Sequence, residues 1–573
     1  MNSGIVTGAD SIASREAAFH SLADGAIPRD GVVERLLNEH LNLFSLAVIA
    51  AGLIIRFFVS ARSYLNPDEA LHHILFNQNS LVLAYKASLT NAHPPLIYFL
   101  LYYWSFLGRS EWMLRLPSVL AGAALCWVVY KWVGLMFGRA AGLMTLVLVT
   151  FLPAMIALSA EVRSYSLLLL FEAAALYFAE AAFRENSVRK VCYASIFLIL
   201  AVLSHYSALF FALAAGVYGL VRIADSKPSR KIIAAWVLGQ AGAVAVCGVL
   251  YVTHVAKLRN SIPSWAMPYE EDYFHFGRGS LFSFTRARTV EIFSYLFDNQ
   301  YVGVSLLLLF IVALALLFFR DYRARRDPLR VRGLGLLFML PFVAVWAASV
   351  AGIYPYVGGR HTVFLAPFVI APLSDLLAGI YRRKLWATLV LGLLLMTAAA
   401  LSGTVYEPMI TKENQSRGLM LGAMNYLRQS APRGDLILTD YQSSGTLAYY
   451  FCGPKQMFLT EKVTGDFFEF GCDGYKIVVL YTWKVAPHDF PSRFREMASS
   501  LGHKPGERVW YFEDGWGSKL DHTLPWTWPE FRCLTSKRFG GNITVIPLDV
   551  KADLSPASPV TNCPPPAFNS FVE

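Results

Sequence analysis

The sequence predicts a polytopic α-helical membrane protein that ends in a small soluble α/β domain. Of the 573 residues, 55% are hydrophobic and only 16% are charged, whereas an average soluble protein carries about 25% charged residues. Long apolar runs recur up to position 404, and most reach the ~20 residues that a helix needs to cross a bilayer. Beyond that position the charge is mixed and the apolar runs are short. These features disfavour a cytosolic enzyme, a disordered scaffold and a nucleic-acid-binding protein.

The long apolar runs predict about eleven transmembrane helices. They lie at 43–62, 113–137, 139–158, 164–183, 191–204, 206–221, 232–254, 301–319, 333–353, 362–380 and 386–404. A twelfth run, 96–107, is too short to cross, and the aromatic residues near its end are typical of a helix at the membrane interface. We therefore place it in the first outer loop, residues 63–112, as an interfacial helix.

Basic residues predict the orientation of the chain. Five segments between the predicted spans hold 18 Lys and Arg residues against four acidic ones: 131–139, 184–190, 222–231, 320–332 and 382–384. With eleven spans all five lie on one face, which the positive-inside rule makes cytoplasmic. The N-terminus is then cytoplasmic, and the C-terminal domain lies outside the cell (inner) membrane, in the periplasm or its extracytoplasmic equivalent. The net charge of +10 therefore reflects orientation among membrane lipids and does not indicate nucleic acid.

Four segments follow from this topology. Residues 1–42 form a cytoplasmic N-terminal segment without the apolar core of a signal peptide, so the first span must act as the targeting signal. Residues 43–404 form the transmembrane domain, 405–553 the α/β domain, and 554–573 a flexible Pro-rich tail. Within the α/β domain, strand-like runs alternate with helix-like stretches. The strands are predicted at 435–440, 476–483 and 508–513, and the helices at 418–429 and 492–501.

Four of the seven cysteines lie in the predicted outer region, which an oxidising compartment would allow to form disulfides. They are Cys452, Cys472, Cys533 and Cys563, and three full pairings are open. A zinc site is a poor interpretation, because the sequence has no CxxC or HxxxH spacing.

Ionisable residues recur at the predicted outer ends of the spans. Asp68 and Glu69 follow the first span closely, and His93 precedes two prolines at the start of the interfacial helix. His205 and Tyr206 mark a later outer turn. Taken singly, each has an ordinary explanation, such as a solvated loop or a helix entry that begins with proline. Adjacent carboxylates at a membrane surface are costly unless they are solvated, paired or functional.

Two further outer turns carry charged side chains. Glu161, Arg163 and Tyr165 lie between the third and fourth spans, and Arg360 and His361 lie between the ninth and tenth. Taken singly, they are ordinary helix-end charges that meet lipid headgroups. Together with the residues of the first loop they converge on one face. That convergence is what an active site at a membrane surface requires.

The order of these motifs resembles the GT-C glycosyltransferases. The motifs are Asp68-Glu69 after span one, His93-Pro94-Pro95-Leu96 before an amphipathic stretch, Arg115-Leu116-Pro117-Ser118 opening span two, and Glu161-Val162-Arg163-Ser164-Tyr165 opening span four. Within that superfamily the chain is most similar to the protein O-mannosyltransferase and aminoarabinose (lipid A) transferase branch, over about residues 60–405. The resemblance implies a GT-C fold and an enzyme that moves a sugar from a polyprenyl-phosphate donor to a hydroxyl on the outer face, with inversion.

The resemblance also implies roles for the individual residues of these motifs. Asp68 aligns with the carboxylate proposed as general base, and Glu69 aligns with a second acid that we expect to orient residues. The donor phosphate needs cations or hydrogen-bond donors, and Glu161 is expected to hold the sugar, a metal ion or Arg163. The candidates for the donor phosphate and sugar are His93, Arg163 and Arg360, with His72, Tyr165 and His361 in reserve.

Departures from the family pattern narrow this expectation. The aminoarabinose transferases have an arginine where this chain has Leu71, and a lysine where it has His93. Both differences weaken the case for aminoarabinose and lipid A. The Glu161 turn also lacks the Asp-x-Asp pair that favours a divalent cation. We therefore predict a metal-independent enzyme without a cofactor, although a divalent cation stays open.

Two other classes of function compete with a glycosyltransferase. A transporter or flippase of lipid-linked sugars would carry charges along a path through the spans, or repeated halves. A non-catalytic envelope assembly protein would use its outer domain to bind a partner. Apart from Arg56, Glu172, Glu180 and Asp375 the predicted spans lack charges, and the sequence shows no internal repeat, which disfavours a transporter. An assembly protein would leave the polar residues clustered at the outer ends of spans one to four unexplained. The sequence leaves the sugar open, and also the acceptor, which is a protein, glycolipid or polysaccharide hydroxyl.

Overall fold

The computed structural model describes residues 41–261, 272–324, 332–383, Gly392 and most of 415–550. Within the last range, 456–461, 465, 482–488, 504–506, 515–530, 534–536 and 541–542 are left out. The predicted eleventh span (except Gly392), residues 1–40 and the tail 554–573 lie outside the described residues. The cytoplasmic N-terminal segment, the domain boundaries and the Pro-rich tail therefore stay predictions.

Fifteen helices form the described part of the membrane domain, in which the first loop, residues 63–110, carries three short ones. We number the helices in chain order: α1 Leu41–Arg62, α2 Pro67–Phe76, α3 Leu81–Ser88, α4 Leu96–Trp104, α5 Glu111–Phe137, α6 Arg139–Phe151, α7 Pro153–Ser159, α8 Tyr165–Glu185, α9 Val188–Ser204, α10 Ala208–Ser226, α11 Arg230–Leu250, α12 Leu281–Phe297, α13 Gln300–Ala324, α14 Leu334–Val350 and α15 Ala366–Arg383. Helix α11 continues through a π-helical turn to Ser261, and a 3₁₀ turn, Arg360–Leu365, precedes α15.

Seven of the described helices are long and apolar enough to cross a membrane, and a bent pair would make an eighth. The seven segments are Asn42–Arg62, Glu111–Phe137, Tyr165–Glu185, Ala208–Ser226, Arg230–Leu258, Gln300–Tyr322 and Arg360–Arg382. The predicted spans at 191–204 and 333–353 coincide with α9 and α14, which have 17 residues each. The chain is thus a multi-pass membrane protein, as the apolar runs predict.

The predicted span at 139–158 is broken into α6 and α7, which meet at 58°. Pro153 lacks a backbone N–H and its ring clashes with a carbonyl of the preceding turn, which favours a break or kink of the helix at this point. The buried guanidinium of Arg56 donates to the carbonyl oxygens of Val149 and Thr150 at 3.2 and 3.0 Å, and to Ser159 Oγ at 2.8 Å. Arg56 therefore satisfies the acceptors that the break exposes.

Local features of the membrane domain differ in how well the sequence predicts them. The first loop contains short helices as expected, with α4 on the run predicted to be interfacial. Helix α12, by contrast, was not predicted, because it is less apolar than the spans and carries Arg286, Arg288 and Glu291. Asp375, a carboxylate within a predicted span, pairs with Arg320.

The C-terminal domain is built on a mixed sheet of eight strands in its described part. The strand order is β2-β3-β4-β1-β5-β8-β6, with β7 on β8. Strand β1 is parallel to β4 and β5, and the remaining pairs are antiparallel. The strands are β1 Leu436–Asp440, β2 Lys462–Thr464, β3 Phe467–Cys472, β4 Tyr475–Leu480, β5 Arg508–Glu513, β6 Phe531–Cys533, β7 Lys537–Phe539 and β8 Ile543–Val550. The helices are α16 Arg417–Ser430, α17 Tyr441–Leu447 and α18 Phe490–Ser500.

The C-terminal domain confirms the predicted alternation of strands and helices. Strands β1, β4 and β5 and helices α16 and α18 lie where the sequence predicts them. Of the three pairings left open for the cysteines, the structure forms a bond between Cys452 and Cys472. The apolar core of this domain is continuous with the first loop, because Leu75 and Leu101 belong to the same buried cluster as Met424 and Phe512.

A buried ion pair fixes the first loop to the membrane domain. Both carboxylate oxygens of Glu69 accept from the guanidinium of Arg115, at 2.7 Å each, and both side chains are fully buried. The same carboxylate accepts the backbone N–H groups of Asn66 at 3.0 Å and Val162 at 2.7 Å. The remaining donors of Arg115 bind backbone carbonyls at the end of α1 and just beyond it. One carboxylate thus joins α2, α5 and the turn before α8.

The replacement Glu69→Gln tests this junction. It leaves the guanidinium of Arg115 buried without its anion, so we expect the free energy of unfolding to fall by about 3–5 kcal/mol. The midpoint of thermal unfolding in detergent measures the loss. The control is Glu185→Gln, which breaks an exposed pair with Lys190 and should cost about 0–1 kcal/mol. Equal midpoints for the two variants would contradict this role of Glu69.

Candidate active site

Helix α2 carries the first candidate residue because of how its sequence begins. Asn66 caps the helix, because its side-chain oxygen accepts the backbone N–H of Glu69 at 3.0 Å. In turn, the Glu69 carboxylate accepts the backbone N–H of Asn66 at 3.0 Å. Pro67 follows at the first helical position, where a missing N–H has no cost. Asp68 therefore stands in the first turn, where the helix dipole stabilises a negative charge.

Three distant segments meet at the Asp68 carboxylate. The guanidinium groups of Arg163, in the turn before α8, and Arg360, at the start of the 3₁₀ turn, both form ion pairs with Asp68 Oδ2. The side chain of Arg163 is only 3% exposed, whereas Asp68 and Arg360 are each 26% exposed. The convergence that the sequence predicts for these residues is therefore present in the structure.

The electrostatics of this group favour an anion. Burial by itself raises the pKa of the Asp68 carboxyl, but the guanidinium groups of Arg163 and Arg360 outweigh it and hold that pKa well below its usual range. Asp68 is therefore ionised at neutral pH. The two guanidinium groups that converge on Asp68 are also groups that bind phosphate well.

Four histidines adjoin the group of charges. Ring centroids lie 5.2 Å apart between His72 and His93, 5.4 Å between His93 and His205, and 6.5 Å between His205 and His361. Tyr165 completes the group, with its ring 5.1 Å from that of His205. All the histidines and tyrosines that the sequence assigns to the donor site thus lie together.

His72, His93 and His205 are neutral. Burial, reinforced by Arg163, lowers the pKa of His72 and His205 to about 3 each. The same causes, with the neighbouring histidines, hold the pKa of His93 well below its usual range. Among the described residues, His72 Nε2 and His93 Nδ1 are buried and have no hydrogen-bond partner. Neutral imidazoles can donate or accept, which suits hydroxyl groups.

The two remaining acids occupy different places. Glu69, which the sequence predicts as a catalytic residue, is directed away from Asp68. Its carboxylate accepts hydrogen bonds from the Arg115 side chain and from the backbone N–H groups of Asn66 and Val162. This arrangement fits the expected orienting role. Glu161 lies in the same turn as Arg163 and is partly exposed, and its carbonyl oxygen accepts from the Arg163 N–H at 2.8 Å.

Sequence reasoning missed some residues around the site. His205 was noted as a turn and not assigned to the donor site, and Tyr98 stacks on His72 with centroids 5.3 Å apart. Tyr206 hydrogen-bonds to His254, which lies in the π-helical turn after α11. The signal that could have found His205 is its position at an outer helix end, like the other candidates.

A metal site is not evident in the part of the chain that the structure describes. No group of three or more His, Cys, Asp or Glu side chains there is arranged to share an ion. Asp68 pairs with Arg163 and Arg360, and Glu69 pairs with Arg115.

Residues 92–252, which contain helices α4 to α11, match a known protein family. They match the family of dolichyl-phosphate-mannose-protein mannosyltransferases. This segment includes His93, Arg163 and His205, and it overlaps the region over which the sequence resembles GT-C enzymes. No curated protein sequence matches the chain.

Solved structures show a partial likeness in shape. ArnT from Cupriavidus metallidurans bound to undecaprenyl phosphate has a TM-score of 0.48 and 14% identity, over 88% of this chain and 98% of that one. The archaeal oligosaccharyltransferase AglB from Archaeoglobus fulgidus, in complex with an inhibitory peptide and a dolichol-phosphate, has a TM-score of 0.46 and 12% identity, over 88% and 74%. The S. cerevisiae Pmt1-Pmt2 complex bound to the sugar donor has a TM-score of 0.30 and 17% identity, over 44% and 37%.

The family match and the helical architecture agree with the motif order in the sequence. The match covers the segment that carries His93, Arg163 and His205, and the surrounding helices form a multi-pass membrane domain. Residues 92–252 are thus similar to the dolichyl-phosphate-mannose-protein mannosyltransferases, within a chain that is a multi-pass membrane protein.

Proposed function

We propose that the protein transfers a sugar from a polyprenyl-phosphate donor to a hydroxyl acceptor, with inversion, and that Asp68 is the general base. The observation that carries this proposal is the convergence of Asp68, Arg163 and Arg360 from three separate segments. A carboxylate beside two guanidiniums supplies both a base and a phosphate site. The family whose model matches residues 92–252 is named for a lipid-phosphate sugar donor, which agrees with this chemistry.

Arg163 and Arg360 bind the donor phosphate in this mechanism. Guanidinium groups form short, charge-assisted hydrogen bonds to phosphate oxygens, and they stabilise the negative charge that develops as the phosphate leaves. Both guanidinium groups pair with the Asp68 carboxylate. A bound phosphate therefore competes with Asp68 for the arginines and releases its carboxylate.

The released carboxylate then accepts the proton of the acceptor hydroxyl. As that proton moves to Asp68, the acceptor oxygen forms a bond to the anomeric carbon from the face opposite the phosphate. The bond from that carbon to the phosphate oxygen breaks, and the polyprenyl phosphate stays with the arginines. A single displacement of this kind inverts the anomeric configuration.

The reaction takes place on the outer face of the cell (inner) membrane in this proposal. Arg163 lies at one end of α8 and Arg184 at the other, and a helix of this length spans about 30 Å. Arg184 belongs to the basic segments that the positive-inside rule places in the cytoplasm. The N-terminus is then cytoplasmic and the C-terminal domain periplasmic. The acceptor belongs to a glycolipid, a polysaccharide or a protein.

The replacement Asp68→Asn tests the base. A positioned base contributes about 10²–10⁴-fold, so we expect transfer from a polyprenyl-phosphate donor to fall by at least that lower factor. Binding of the polyprenyl phosphate should be retained or become tighter, because two guanidiniums lose their competitor. Radiolabelled transfer and equilibrium binding to purified protein measure the two effects.

The matched control is Asp225→Asn. Asp225 pairs with Arg332 at 3.3 Å, and both lie in the basic segments predicted to be cytoplasmic. The replacement therefore also removes one carboxylate charge that pairs with an arginine, but in a segment that does not contribute to the candidate site. We expect unchanged transfer. If Asp68→Asn transferred sugar at the control's rate, Asp68 would not be the base.

The pH dependence of transfer follows from the low pKa of Asp68. Because that pKa is depressed in the folded protein, the carboxyl takes up a proton only in strong acid. We therefore expect kcat/KM to stay level from about pH 5 to 8, without the acid limb of a base titrating near neutrality. Measurement of initial rates in overlapping buffers checks this. A one-proton loss of activity below about pH 6.5 would instead assign the essential proton to a histidine.

Metal independence is tested by chelation. If arginines alone stabilise the leaving phosphate, we expect transfer by the purified protein to be unchanged in excess EDTA. The same assay after dialysis and addition of Mn²⁺ or Mg²⁺ provides the comparison. Loss of transfer in EDTA and its recovery with Mn²⁺ would show that a divalent cation takes part.

A further inference from the structure

We propose that Tyr450, in the C-terminal domain, is a positioning residue for Asp68, which makes this domain part of the working active site. The inference rests on the proposed role of Asp68. Tyr450 lies 382 positions beyond Asp68 in the chain, but its hydroxyl reaches the segment that starts α2. Its buried contacts join the two domains.

The hydroxyl of Tyr450 has one partner on each side. It accepts the backbone N–H of Leu65 at 2.7 Å and donates to the carboxylate of Glu111 at the start of α5. Leu65 is completely buried, and Tyr450 and Glu111 are less than 10% exposed. Water therefore cannot replace the tyrosine as a partner, and the position of Leu65 depends on it.

The hydrogen bond to Leu65 lies directly before the start of α2, the helix that carries Asp68. Leu65 precedes the cap residue Asn66, and Asp68 is the second residue of α2. The neighbouring Tyr64 N–H donates to the carbonyl of Gln415, at 2.9 Å. Two successive backbone groups before the cap are thus held by residues outside the membrane helices.

Tyr450 is itself held in place from within the C-terminal domain. It lies in a π-helical turn, Ala448–Cys452, whose last residue is bonded to Cys472 in β3. The guanidinium of Arg428 donates to the carbonyl oxygens of Tyr450 and Phe451, at 3.0 and 2.8 Å. The turn can therefore transmit a fixed position to the helix it contacts.

The same part of the C-terminal domain packs along α2. The Tyr449 ring meets that of His73 edge-to-face, with centroids 5.1 Å apart. A Cβ added to Gly445 would lie 3.0 Å from Ala70 Cβ, so α17 approaches α2 more closely than a larger residue would allow. Helix α2 is thus held by Glu69 from the membrane domain and by this surface from the C-terminal domain.

The experiment compares Tyr450→Phe with Tyr475→Phe. The control removes an equivalent buried hydroxyl in the same domain, one that donates to the carbonyl of Ala431 at 3.0 Å and does not reach the first loop. Because small displacements of a reacting group are costly, we expect kcat to fall at least about 10-fold in Tyr450→Phe and less than about 2-fold in the control. Polyprenyl-phosphate binding should change by less than a factor of about 2, since Arg163 and Arg360 lie on other segments.

A second pair of variants separates positioning from general loss of stability. Glu111→Gln keeps an oxygen that accepts from the Tyr450 hydroxyl, whereas Glu111→Ala does not. We expect the alanine variant to lose kcat as Tyr450→Phe does, and the glutamine variant to keep most of it. Equal kcat values for Tyr450→Phe and Tyr475→Phe, or equal losses in both Glu111 variants, would overturn the proposal.

Hydrogen–deuterium exchange tests the positioning without an assay of transfer. We expect amides of residues 64–72 to exchange faster in Tyr450→Phe than in wild type, and at the wild-type rate in Tyr475→Phe. If the wild-type protein transferred no sugar from any polyprenyl-phosphate donor, the proposed function would fail while this exchange result could still hold. Unchanged exchange in Tyr450→Phe would overturn the positioning role, whatever the activity.

Discussion

The carboxylate of Glu69 is removed from water between α2 and α5, and its two oxygens meet the guanidinium of Arg115 and two backbone N–H groups. A buried charge is tolerated only when its hydrogen-bonding capacity is filled in this way. The partners come from the cap of α2, from a membrane span and from the turn that carries Arg163. The relative position of Asp68 and Arg163 therefore depends on this one group.

Adjacent residues on a helix point about 100° apart, and this geometry divides the labour between two neighbouring acids. Glu69 is directed into the protein and holds α2 in place, whereas Asp68 is directed towards Arg163 and Arg360 and is partly exposed. The two acids look equivalent in the sequence, but Glu69 has a structural role, and we propose a chemical role for Asp68. In the proposed mechanism the two arginines that pair with Asp68 bind the donor phosphate, and this pairing couples the proposed base to occupancy of the phosphate site.

Local sequence patterns predicted much of the fold and most of the site. Apolar runs located the membrane helices, and the polar residues left at one end of those helices located Asp68, Arg163 and Arg360. The break at Pro153 escaped prediction because the run is apolar on both sides, and α12 because it is not. The contact of Tyr450 with Leu65 could not be predicted, since no local pattern relates residues 385 positions apart. The ion pair between Arg115 and Glu69, 46 positions apart, could not be predicted for the same reason.

An experimental structure of the purified protein with a bound polyprenyl phosphate tests the central claim most directly. The account predicts that phosphate oxygens contact the guanidinium groups of Arg163 and Arg360, and that the Asp68 carboxylate has left at least one of them and faces the space where an acceptor hydroxyl would enter. A phosphate bound elsewhere, with both ion pairs of Asp68 intact, would contradict it.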